Sequence, residues 1–130
     1  MPGETNLSTL LKNMTPVLNP GDYVYCTVSS LNAIDASQIL GLFKEAEGFT
    51  LILKKELADQ LDLQYTYIAA WITLTIHSSL EAIGLTAAFA AALAQENISC
   101  NVVAAYYHDH IFVAKKDADR AMHALRKLSE

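Results

Sequence analysis

The chain has 130 residues, of which 52% are hydrophobic and 18% charged, enough apolar content for a packed core and too much for a disordered chain. Its formal net charge is -5, and its nine Lys and Arg residues are scattered apart from the pairs Lys54–Lys55 and Lys115–Lys116. That balance excludes nucleic acid and anionic membrane as expected partners, because phosphate binding needs clustered cations.

The length predicts one domain or two small fused units. Residues 1–14 lack a basic start and a long apolar run, so no secretory signal is expected. The most apolar run, 82–94, falls short of the roughly 20 residues that span a bilayer. Cys26 and Cys100 stand apart, with no CxxC pair, and read as reduced core thiols of a cytoplasmic protein.

Leu7, Leu10, Leu11 and Met14 recur at helical spacing, with Thr5 or Asn6 as the cap. "TPVLNPGD" reads as a break, with two prolines and a glycine. "DYVYCTVSS", 22–30, reads as a strand. The connector "LNAIDASQ" has room for one helical turn. "ILGLFKEAEGFTLILKKE" predicts two strands around a turn at Ala46–Gly48, and "KKELADQLDL" a short helix with Leu57 and Leu61 on one face.

Residues 64–79 alternate with period two and predict another strand. A helix over 84–97 carries the stripe Leu85, Ala88, Phe89, Ala92 and Leu93. Strands at 98–107 and 111–116 follow. A last helix, capped by Asp117, buries Ala118, Ala121, Met122, Leu125 and Leu128.

From residue 65 the order is β-α-β-β-α, and residues 22–62 repeat it with a shrunken first helix. The fold class is therefore α+β, a repeated split βαβ unit with an antiparallel sheet and helices on one face. The divisions are 1–64 and 65–130. The second copy has no residues left for its final strand, so the N-terminal half or a second chain is expected to fill that slot.

"HSSLEAIGLTAAF" admits two readings. In one, Ser78-x-x-Glu81 is a capping box and Gly84 falls inside the helix. In the other, 78–83 is a loop and the helix starts at Gly84, with first-turn amides open to an anion and Glu81 open to an ammonium. The second arrangement suits a zwitterionic amino acid.

The order β-α-β-β-α with "EAIGLTAAF" before the long helix resembles the ACT domain. Glu81, Gly84 and Leu85 fit that family's signature, and Ile83 stands where it has proline. The run "WITLTIHSSLEAIGLTAAFAAALAQENISCNVVAAYYHDHIFV" resembles the core of a family of small bacterial proteins with two ACT-like halves, and "FKEAEGFTL" resembles that family's N-terminal signature. The likeness covers most of residues 7–128. CASTOR-type arginine sensors and aspartate kinase regulatory domains are more distant relatives.

The resemblance implies a ferredoxin-like (βαββαβ) antiparallel sheet in each of two tandem ACT-like units, in a non-catalytic, allosteric ligand sensor. It implies a ligand, an amino acid or similar small molecule, at an ACT–ACT interface of a homodimer, with no cofactor. Carried over, the ligand-binding residues are Ser78, Ser79, Glu81, Ile83, Gly84 and Leu85, with Ser99, Cys100, Asn101 and Val102 across the interface. Glu45, Glu47 and Gly48 are the candidates of the N-terminal half.

The stretch "YYHDHIF", 106–112, raises an alternative. His77 ends a strand at the sheet edge where this stretch turns, so His77, His108, Asp109 and His110 form a candidate metal site. The competing reading gives Asp109 and His110 to a tight turn. A third function reading is a structural interaction module that docks through the alanine-rich face of 87–94. No enzyme is expected: His77 and Ser78 are neighbours on a strand and point to opposite faces, and no GxSxG elbow is present. Glu45 and Glu47 fall two apart on one predicted strand face, as a carboxylate pair would, although such residues are more often solvent-facing charges beside a turn. Trp71, Tyr65, Tyr67, Tyr106 and Tyr107 read as packing aromatics.

Overall fold

Asn6 sets the first turn. In a computed structural model that describes residues 6–75 and 84–130, its side chain accepts from the Thr9 N–H at 3.0 Å and opens helix α1, Leu7–Asn13. Strand β1 then runs Thr15–Val28. The break expected at "TPVLNPGD" is instead the first half of this strand. Pro16 and Pro20 are an even number of residues apart, so their missing N–H groups fall on one side of the strand, and a strand tolerates proline where that side needs no ladder bond.

One turn of 3-10 helix, Ala36–Gln38, is capped by Asp35 and occupies the connector. Strands β2, Gly41–Glu45, and β3, Gly48–Lys54, form an antiparallel hairpin. Gly48 has φ 149°, and a Cβ there would meet the Val28 carbonyl oxygen at 2.8 Å, so this position requires glycine. Helix α2 is Lys55–Gln60 and strand β4 is Ile68–Thr75. Helix α3, Leu85–Gln95, leads to strands β5, Asn101–Ala104, and β6, Asp109–Ala114. Helix α4, Ala118–Lys127, follows a second 3-10 turn. Asp117 holds the cap position without a side-chain capping bond; its carboxylate takes Arg120 at 2.9 Å instead.

The chain forms two compact units, one of Met1–Pro20 with Ala70–Glu130 and one of Gly21–Ala69. In the first, the strand order is β1-β4-β6-β5, and β5 and β6 are antiparallel. The place of the absent final strand is taken by residues 15–20, the first half of β1. The Thr75 hydroxyl donates to the Thr15 carbonyl at 2.6 Å across this pairing.

Alternation decides which side chains meet the helices in this unit. Ala70, Ile72, Leu74, Ile111 and Val113 pack with Leu85, Phe89 and Leu93 of α3 and with Ala121, Met122 and Leu125 of α4. Leu10 and Met14 complete that core, at 1% and 2% exposed. In the second unit the order is β2-β3-β1. Val24, Cys26, Leu51, Leu53 and Ala58 are its core. The antiparallel ferredoxin-like architecture expected from the sequence is therefore present.

Candidate functional site

Helix α3 opens without a side-chain cap. Gly84 is its N-cap residue, at φ 89° in the left-handed region, so glycine stands outside the helix and not within its first turn. The first-turn amides therefore receive no capping side chain from that position. A Cβ on Gly84 would come 3.3 Å from Leu7 Cδ2, so α1 lies against this opening. Leu85 turns into the core at 3% exposed and contributes backbone only. His77, Ser78, Ser79, Glu81 and Ile83 lie outside the described residues.

Ser99 and Cys100 precede β5; Ser99 is exposed, and Cys100 is half-buried against the core. Burial pushes the Cys100 thiol up from its ordinary value, which suppresses the reactive thiolate. Asn101 Nδ2 donates to the Phe112 carbonyl at 3.3 Å, and Val102 packs against the core. β5 is the outer strand of its unit. Val103 on that strand is 41% exposed, and Tyr106 and Tyr107 beyond it are 76% and 66% exposed.

Glu45, Glu47 and Gly48 belong to the other unit. Glu45 ends β2 and accepts the Thr50 hydroxyl, whereas Glu47 lies in the turn. The two carboxylates therefore do not share a strand face as expected, because the hairpin turns one residue after Glu45.

The stretch 106–112 also divides differently. The turn is Ala105–His108, closed by the Ala105 N–H to the His108 carbonyl at 3.1 Å. Asp109 and His110 are already in β6, opposite Ala104 and Val103. The turn expected at Asp109 and His110 is overridden because those residues complete the β5–β6 ladder.

Being adjacent on a strand, Asp109 and His110 point to opposite faces. Asp109 is 8% exposed, and burial holds its carboxyl above the usual carboxylate range, against the opposing pull of His110 and His108. His110 instead faces β4. The Trp71 indole N–H donates to His110 Nδ1 at 3.0 Å, and the Thr73 hydroxyl lies 3.1 Å from the same nitrogen. Asn19 of β1 donates to Thr73 Oγ1 at 2.9 Å and to the Trp71 carbonyl at 3.3 Å.

An indole nitrogen can only donate, so His110 Nδ1 is an acceptor and the ring is neutral, with its proton on Nε2. Burial, followed by repulsion from His108, lowers the His110 pKa from 6.5, and Asp109 pulls the other way. Among the described residues no three of His, Cys, Asp and Glu gather as a metal site needs. His108 Nδ1 is buried and has no hydrogen-bond partner among them.

The sequence reading treated Trp71 as packing and missed Thr73 and Asn19. Period two already placed Trp71 and Thr73 on one face; Asn19 was hidden in a segment read as a break. The network predicts that the His110 imidazole titrates below 6.5 by NMR. A histidine whose folded pKa is depressed contributes stability that is intact above its unfolded pKa and is lost as pH falls toward the folded value. Asp109 acts with the opposite sign, so the reading must be His110's own resonance. His110→Phe removes the acceptor for Trp71 and should cost about 1–3 kcal/mol near neutral pH.

Two ACT domain models match the sequence, over residues 2–70 and 67–127. Among solved structures the chain is similar to a Vibrio cholerae protein of unknown function described as a possible transport protein. The two are 48% identical over 95% of this chain and 96% of that one, with a TM-score of 0.86. An Agrobacterium tumefaciens protein is 16% identical over 89% of each chain, with a TM-score of 0.66. The regulatory subunit of aspartate kinase from Thermus flavus is 8% identical over 89% of this chain and 97% of its own, with a TM-score of 0.60. The last two likenesses show the fold alone. No curated protein matches the sequence.

Proposed function

The chain belongs to the ACT-domain family, and on that footing we propose that it is a non-catalytic regulatory protein that binds an amino acid at the opening of α3. One observation carries this reading: the first turn of α3, which no described side chain caps, behind the left-handed Gly84. A helix start of this kind offers amide donors and a favourable dipole to a carboxylate. Glu81, three residues earlier in the sequence, is the partner for the ligand's ammonium group, and Ser78 and Ser79 supply hydroxyls.

The second wall comes from another copy of the chain. Ser99 precedes β5, whose outer edge carries Asn101 and the exposed Val103, and that edge is free of a covering strand among the described residues. A homodimer formed there places backbone donors opposite the α3 opening. The ligand then shifts an equilibrium of assemblies. A regulatory role is supported by the shared fold of the aspartate kinase regulatory subunit. Two cysteines free of any disulfide suit a cytoplasmic location.

The test is a thermal-shift screen against the amino acids. The cognate ligand is expected to raise the melting temperature by mass action, about 2.7 kcal/mol of stabilisation at a hundredfold excess over Kd. Glu81→Ala should lose that response through the ammonium, and Val103→Lys should lose it through the dimer. A response to no amino acid sinks the proposal. A response that survives Glu81→Ala places the ammonium elsewhere.

A further inference from the structure

The unit Gly21–Ala69 contains a second opening, on a different part of its sheet. β3 covers one edge of β1 over Tyr23–Val28. On the other side, residues 64–66 approach β4 without entering a strand. The result is a groove of about 450 Å³, within the roughly 300–1,000 Å³ typical of small-molecule sites. The cleft between α3 and α4 near His123 holds about 200 Å³, below that range.

The lining of the groove is neutral. Tyr25, Thr27 and Thr50 come from the strands, and Gln64, Tyr65 and Thr66 come from the segment beside them. Cys26, between Tyr25 and Thr27 on β1, turns its side chain into the core of the unit, where burial raises its thiol pKa and keeps it uncharged. The nearby charges are already committed. Asp59 holds Lys55 at 3.0 Å and accepts the Tyr65 hydroxyl at 2.7 Å, and Glu45 holds the Thr50 hydroxyl.

Three polar side chains in the lining remain unengaged. Thr27, Gln64 and Thr66 make no side-chain hydrogen bond to any described residue. Two hydroxyls and one amide present donors and acceptors together, with no net charge. A zwitterion or phosphate placed here gains no counter-charge from the lining. A flat neutral ring gains apolar contact with the tyrosines and satisfies those groups along one edge.

We propose that this groove is a second ligand site that takes a neutral heterocycle with donors and acceptors on one edge, the chemistry of a nucleobase or nucleoside. It is separate from the amino-acid site at α3 and does not depend on it. Its openness to solvent makes the binding weak, in the micromolar to millimolar range.

The test is titration of the labelled intact protein with adenosine and with uridine, followed by amide and side-chain NMR shifts. Saturable shifts centred on residues 25–27, 50 and 64–66 are expected for at least one of them. Thr27 and Gln64 are exposed, so Thr27→Val and Gln64→Ala leave the fold intact, and each should weaken binding about tenfold by removing one hydrogen bond. Glycine as a zwitterionic probe should leave these residues unmoved. The proposal is overturned if neither nucleoside shifts them at millimolar concentration, or if the shifts survive both substitutions. It is also overturned if the same residues shift with protein concentration alone, which marks the groove as a contact between copies.

Discussion

A fragment of residues 70–130 is expected not to fold, although it contains β4 from Ala70 onward, α3, β5, β6 and α4. It lacks Leu10 and Met14, which are 1% and 2% exposed in the core of that unit. It also lacks residues 15–20, which supply the outer strand beside β4. Burying each of the two side chains is worth about 1.5–3 kcal/mol, so losing both removes about 3–6 kcal/mol before the ladder is counted. Whole domains hold only about 5–15 kcal/mol.

Fusing residues 6–20 after Glu130 should restore folding. The Ser129 hydroxyl donates to the Met14 carbonyl at 2.6 Å, so the end of α4 lies beside the end of α1. Spanning back along the 7-residue α1 takes about 10 Å, which a linker of about ten residues covers. Circular dichroism and urea unfolding decide the matter. Cooperative unfolding of the unfused fragment contradicts the reading of β1 as a borrowed strand.

Phe89→Ala is expected to cost about 3–5 kcal/mol, the range for truncating a fully buried phenylalanine. Phe89 is 0% exposed and sits on α3 between Leu85 and Leu93 in the same core cluster. For a chain of this size the loss lowers the melting temperature by about 10–20 °C. Phe43→Ala is the matched control: Phe43 is 71% exposed on β2, so its truncation should stay within about 0.5 kcal/mol. Equal effects from the two substitutions refute the assignment of the core to the inner face of α3.

The sequence made the element types legible because each periodicity is strong. Alternation at 68–75 and the stripe Leu85, Phe89 and Leu93 name a strand and a helix without any tertiary information. Asn6 is one of two expected caps and Gly84 as the boundary of α3 one of two expected readings, and the structure selects between them. The misread positions are those where distant pairing overrides local preference. Pro16 and Pro20 signal a break until β4 is known to lie beside them. Asp109 and His110 signal a turn until the β5 ladder claims them. The His110 network was invisible for the same reason: Asn19, Trp71 and His110 meet only through three strands far apart in sequence.

The borrowed strand has a consequence for the order of synthesis. Residues 7–20 leave the ribosome about a hundred residues before Ser129, whose hydroxyl meets Met14. At about 5–20 residues per second, they wait roughly 5–20 s for the partners that bury Leu10 and Met14. During that interval an apolar helix and a proline-bearing strand have no native place to go. The prolines then acquire a second use, since they remove N–H groups that a waiting strand offers to stray partners. A nascent chain stalled before α4 emerges is the species most exposed to mispairing and to chaperone capture.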